Sequence, residues 1–335
     1  MSVDLSEPLA LTTRTTSLTG RPRPLSFEQT APRDLVHRRA IGEVLLTDWI
    51  RLGANRFAIG AQWPRGHGFY RPVGGRWHDP LLAAESIRQT SSLVSHLFYD
   101  LPRDHPTLMT ELSIDLRADA LALDGHPADV ELTVDCTGVT FRGGHLAGMT
   151  MDVGLARGQV PLGRGRMTLN CLRPAVYRRL RGAHAEVPDS LPEPPAPVPP
   201  REVGRAVEAD VVLGRPPADH GAQDAREGVW PLRVNWAHPT LFDHPTDHVP
   251  GMLLMEAARQ AAQRLAGPGA ALLPVMTNHF HSYVEFDAPC LVRARLSDGD
   301  GTRAVRVTAE QDDALVYECL LVVHGTPAPS GGASR

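Results

Sequence analysis

The chain has 335 residues, 42% apolar and 21% charged, with a net charge of −4, and all 34 of its basic residues are arginine. Without lysine it cannot form a Schiff base, anchor pyridoxal phosphate or build a P-loop, and its mild acidity gives no cationic footprint for nucleic acid or a membrane surface. The length fits two ordinary domains, and four scattered cysteines (Cys136, Cys171, Cys290, Cys319) without any C-x-x-C predict buried, reduced thiols.

Residues 1–33, rich in Ser, Thr, Arg and Pro, predict a flexible N-terminal arm with neither the basic start nor the apolar stretch of a signal peptide. No apolar run approaches the ~18 residues of a membrane span, so a soluble, cytoplasmic protein is expected. A first domain is expected over 34–185. Its opening strand candidates are Val44 to Trp49 and Phe57 to Trp63. A turn-forming cluster, Trp63-Pro-Arg65-Gly-His67-Gly-Phe-Tyr70, follows them and reads either as a surface loop or as the lip of a pocket.

Pro80-Leu-Leu-Ala-Ala-Glu85-Ser-Ile-Arg88-Gln89 opens a helix running to about His96. Alternating Leu112, Ile114 and Leu116, then Val130, Leu132, Val134 and Cys136, predict strands beyond it. Residues 186–202 contain a stretch, 188–200, in which seven of thirteen residues are proline; this predicts a semi-rigid polyproline linker holding no packed element.

The second domain is expected over 203–325. Its loop Asn235 to Pro250 carries His238, Asp243, His244, Asp247 and His248, at spacings that match no standard metal motif. Pro250-Gly251-Met-Leu-Leu-Met-Glu256-Ala-Ala-Arg259-Gln260 then opens a helix to about Ala266, stopped by Gly267-Pro268. Val292 to Leu296, Val305 to Ala309 and the run Leu315 to Val323 read as strands, and residues 326–335 as a flexible tail. Each half therefore predicts an α+β layer, with one helix covering one antiparallel sheet.

The two helices share Glu-x-x-Arg-Gln, which points to an internal duplication. Glu256, Arg259 and Gln260, like Glu85, Arg88 and Gln89, lie on one helical face. That stripe is either a solvated ion-paired face or the wall of a cleft, with the carboxylate as base and the guanidinium as anion clamp. G-x-S-x-G, H-E-x-x-H and a strand-linked G-x-G-x-x-G are all missing, which removes support for the usual serine hydrolases, zinc proteases and dinucleotide-binding folds.

The strings Leu35-Val-His37-Arg, Glu43 to Trp49, Phe57 to Tyr70, Asp79 to Gln89 and His248 to Gln260 closely resemble the A-factor biosynthesis hotdog family, the γ-butyrolactone autoregulator synthases of actinomycetes. The resemblance implies a tandem hotdog fold, each half a long helix wrapped by an antiparallel sheet. It implies an acyltransferase that moves a β-ketoacyl group from acyl carrier protein or coenzyme A to the hydroxyl of dihydroxyacetone phosphate, the ester closing to a phosphorylated butenolide. It implies neither cofactor nor metal, and it carries the family's helix residues onto Glu85, Glu256 and Arg259.

Under that reading Glu256 or Glu85 is the expected base, with His244 or His67 relaying protons. Arg259 and Arg88 are expected to grip the phosphate, since a lysine-free chain must recognise it with arginine. Amides near Gly251 are expected to face the thioester oxyanion, and Gln260 and Arg65 to contact substrate. A hotdog thioesterase or dehydratase, or a non-catalytic acyl-binding protein, remains the alternative.

Overall fold

The computed structural model describes residues 23–216, 226–267, 271–299 and 302–324; the expected tail and the Pro268 helix stop lie outside them. In chain order the elements are β1 (Leu46–Arg51), β2 (Arg56–Trp63), α1 (Leu81–Phe98), β3 (Thr107–Leu116), β4 (Ala128–Arg142), β5 (His145–Arg157), β6 (Val160–Cys171) and α2 (Pro174–Arg181), then β7 (Glu227–Pro231), α3 (Gly251–Ala266), β8 (Leu272–Phe280), β9 (Cys290–Gly299), β10 (Thr302–Gln311) and β11 (Ala314–His324). The strands form one antiparallel sheet in the order β1-β2-β4-β5-β6-β3-β8-β11-β10-β9-β7.

That order is the duplication made visible. From the central β3–β8 pair outward, β3-β6-β5-β4-β2 on one side repeats as β8-β11-β10-β9-β7 on the other, with α1 and α3 in matching places. The seam pairs Leu112 with Asn278 and Ile114 with Met276, and the buried Asn278 side chain donates to the Leu112 carbonyl at 2.6 Å. A sheet continuous across both halves has no internal edge left to pair with other chains.

Each helix is the core of its half rather than a surface element. Every α1 residue from Leu81 to His96 is buried except Arg88, and α3 is buried from Met252 to Gln263. Helices buried on all faces need small residues where strands press closely. Gly165 in β6 supplies one such place, because a Cβ there would sit 2.3 Å from Ile87 Cδ1 of α1.

Two expectations are corrected. The arm is not loose over its last part: Arg23 forms a bidentate pair with Asp48, whose carboxylate also accepts from the Ser26 amide, and Ala31 is buried against the core. The proline-rich linker does hold packed structure, since Pro197 bridges Gly214 and Val198 is buried. Proline cannot complete a ladder, but at an edge it needs only one partner.

Candidate active site

Glu85 and Glu256 sit in two copies of one network. Glu256 is fully buried; Arg205 reaches it through Nε at 2.8 Å and Nη2 at 2.5 Å, Arg259 through Nε at 2.8 Å and Nη2 at 2.9 Å, and Gln260 through Nε2 at 2.5 Å. Glu85 is held likewise by Arg38, by Arg88 and by Gln89. Burial pushes both carboxyls up, but the paired guanidiniums outweigh it and bring each down to about 2. Each carboxylate is fully buried and its oxygens are occupied by guanidinium and amide donors, and neither glutamate lines the cavities described below. Glu85 and Glu256 thus hold arginines in place, and the geometry offers no free carboxylate oxygen for the base role expected of them.

The same arginines tie the halves together. Arg38 Nη1 donates to the Thr240 carbonyl in the second half at 2.9 Å, and Arg205 Nη1 to the Phe69 carbonyl in the first at 2.6 Å. Both acceptor loops are folded by a histidine whose Nδ1 accepts two backbone amides: His67 from Phe69 and Tyr70, His238 from Thr240 and Leu241. Nε2 of His67, expected to relay protons, lies 3.5 Å from Glu43, and the residue lines neither cavity described below. Gln260 is spent in a similar way, accepting from Val212 N and donating to the Asp210 carbonyl.

The copies differ where they meet solvent. A cavity of about 490 Å³ lies between α1 of the first half and the loop and helix start of the second. Its wall includes the polar side chains of His37, Arg38, Arg88, Arg103 and His244 and the apolar ones of Met109, Met167, Met252, Leu254 and Phe280. A more open hollow of about 630 Å³ adjoins it and shares His37, Arg38, Arg103 and His244. Arg88 leaves Nη1 without a hydrogen bond among the described residues, and the exposed Arg103 guanidinium carries none at all.

Around Arg259 the equivalent space is taken. In helical register Ser92 of α1 corresponds to Gln263 of α3, which is buried, accepts from Ala271 N at 2.8 Å and lies against Gly204. His96 corresponds to Gly267, and His37, just before Arg38, corresponds to Gly204, just before Arg205. At the helix starts Gly251 lines the cavity, whereas its counterpart Pro80 has no amide to offer.

Of the predicted residues, the cavity wall thus contains Arg88, His244 and Gly251. It does not contain Arg259, which is buried and spent on Glu256 and the Val203 carbonyl, nor Arg65, which is exposed elsewhere. His244 has its Nδ1 3.4 Å from Asp243, and burial keeps its pKa below the usual imidazole value. Sequence reasoning missed His37, His96 and Arg103; the loop residues Asp247 and His248, which it did single out, form a pair with His248 Nδ1 2.6 Å from Asp247 Oδ1. The one available signal was asymmetry, a polar residue in one half where glycine or alanine stands in the other.

Two central helices wrapped by one duplicated antiparallel sheet, with a cavity lined by arginines and methionines at their junction, define a tandem hotdog protein. The chain belongs to the A-factor biosynthesis hotdog family, whose domain model matches residues 20–173 and 188–321. It is 44% identical over 299 residues to a 2-oxo-3-(phosphooxy)propyl 3-oxoalkanoate synthase of Streptomyces virginiae, covering 88% of this chain and 98% of that one. A protein of the same name from Streptomyces coelicolor is 40% identical over 311 residues, covering 91% and 95%. Among solved structures, a putative oleoyl thioesterase from Lactobacillus plantarum is 14% identical with a TM-score of 0.47, covering 83% of this chain and 100% of that one.

Proposed function

We propose that this chain is itself a 2-oxo-3-(phosphooxy)propyl 3-oxoalkanoate synthase, an acyltransferase joining a 3-oxoacyl thioester to the hydroxyl of dihydroxyacetone phosphate in autoregulator biosynthesis. The observation that carries the reading is the mixed lining of one cavity: methionines suited to an acyl chain share its wall with two incompletely paired guanidiniums suited to a phosphate.

In this reading Arg88 and Arg103 clamp the phosphate, and the acyl chain lies among Met109, Met167 and Met252. The thioester carbonyl sits at the start of α3, where the amides of Gly251 and Met252 lack intrahelical acceptors by position and meet the developing oxyanion. Glu85 orients Arg88 from below. The first half's helix supplies the phosphate clamp and the second half's helix start the oxyanion site, so one chain builds one working site.

The donor is carried by acyl carrier protein or coenzyme A, entering through the outer hollow past Arg103. The released ester then closes by intramolecular aldol condensation to a phosphorylated butenolide. Purified protein with a 3-oxoacyl thioester and dihydroxyacetone phosphate is expected to release thiol only when the triose phosphate is present. Equal release without it would indicate a thioesterase instead.

A further inference from the structure

His37 is a non-glycine residue in the left-handed region, at φ 52°, stacked on His96 with ring centroids 4.9 Å apart. The equivalent position in the other half is Gly204, at φ 68°, where such a backbone costs nothing. A non-glycine residue held there, on the wall of both cavities, marks a site worth a functional account.

The hydrogen bonds fix the protons. His96 Nδ1 lies 2.6 Å from the Leu101 carbonyl, which can only accept, so Nδ1 carries hydrogen. Its Nε2, 2.7 Å from His37 Nε2, is then a lone pair in a neutral ring, and His37 Nε2 must donate to it. Burial, His96, Arg88, His244 and Arg103 together bring the His37 pKa down to about 3, so this ring too is neutral. What remains is the Nδ1 lone pair of His37, with no partner among the described residues and the cavity beside it.

We propose that His37 is the catalytic base that takes the proton of the acceptor hydroxyl, and that His96 is a positioning residue that fixes its tautomer. The hydroxyl proton passes to His37 Nδ1 as the alkoxide oxygen bonds the thioester carbonyl carbon. The C–S bond then breaks, and the leaving sulfur takes the same proton from Nδ1, so that ester and thiol form with the ring restored. Burial is the larger cause of the low His37 pKa and the surrounding cations the smaller; a phosphate dianion on Arg88 and Arg103 offsets the cationic part, so the base gains strength when the acceptor is bound.

The inference rests on the acyl-transfer reading above. The test is His37→Gly in the full chain, which installs the residue of the equivalent position, with His37→Asn as a second variant that also tolerates positive φ. Both are expected to keep the wild-type melting temperature within a few degrees and the triose-phosphate KM within about threefold, while kcat falls about 10²- to 10⁴-fold. Added imidazole should restore a large part of the His37→Gly loss. Folded variants whose kcat stays near wild type, or a His37→Gly loss that imidazole does not touch, overturn the assignment. Wild-type protein that releases no thiol in response to triose phosphate removes the acyl-transfer reading itself, a separate outcome.

Discussion

Arg205 Nη1 donates to the carbonyl of Phe69 at 2.6 Å across the junction of the two halves, with the guanidinium carbon 4.3 Å from the centre of the Phe69 ring. Because Nε and Nη2 of the same group hold Glu256, a single side chain couples the helix of one half to the loop of the other. Glu256→Ala strands two buried arginines, which typically costs about 3–5 kcal/mol. Chemical denaturation should show that loss for Glu256→Ala and a comparable one for Glu85→Ala; unchanged stability with lost kcat would restore the glutamates as catalytic groups.

These carboxylates also set an acid limit. Their folded pKa is about 2 against an ordinary value of 4.5, so the stabilisation is complete above about 4.5 and is lost as pH falls from there through 2. Asp48 and Asp243, both shifted down, act in the same sense, while the buried Asp79, shifted up, opposes them. Melting temperature should therefore fall steeply between pH 4.5 and pH 2, and less steeply in Glu256→Ala than in wild type.

Arg103 is exposed and has no hydrogen bond or ion pair among the described residues, so Arg103→Ala should leave stability unchanged while raising the triose-phosphate KM about tenfold or more, the usual scale for a lost charge-assisted bond. Steady-state kinetics with the acyl donor saturating reads this directly. Arg259→Gln should instead lower stability, because Arg259 is enclosed with Glu256 and lines neither of the two cavities described.

A Cβ on Gly251 would lie 2.6 Å from Met109 Cε and 3.2 Å from the Phe280 ring. The methionine end can swing away, but the free direction is the cavity. Gly251→Ala should therefore fold and should shift the preferred acyl chain to a shorter one, read as kcat/KM across a series of 3-oxoacyl thioesters.

All four cysteines are free and buried, and burial pushes Cys136 up to about 11 and Cys171 and Cys290 to about 12. A thiol reagent at pH 8 should find none of them in the native protein and four after denaturation.

Both central helices and the strand alternation were legible because each is a local, periodic pattern. The duplicated Glu-x-x-Arg-Gln was legible too, but its meaning was not. Helical spacing shows that Glu256 and Arg259 are neighbours, whereas their burial depends on Arg205, which arrives from a loop and is placed by the tertiary fold. Reading the stripe as a cleft wall followed from treating the two copies as equivalent. The cavity exists because they are not: Ser92, His96 and His37 stand where the other copy has Gln263, Gly267 and Gly204, and such differences gain meaning only once the halves are superposed through their contacts.

Each chain is expected to hold one working site. Equilibrium titration with a non-transferable 3-oxoacyl thioester analogue measures it most directly. The structure predicts one equivalent bound per chain, with binding abolished by Ser92→Gln, which copies the closed half, and unchanged by Gln263→Ser. Two equivalents, or binding that survives Ser92→Gln and fails in Gln263→Ser, would contradict it.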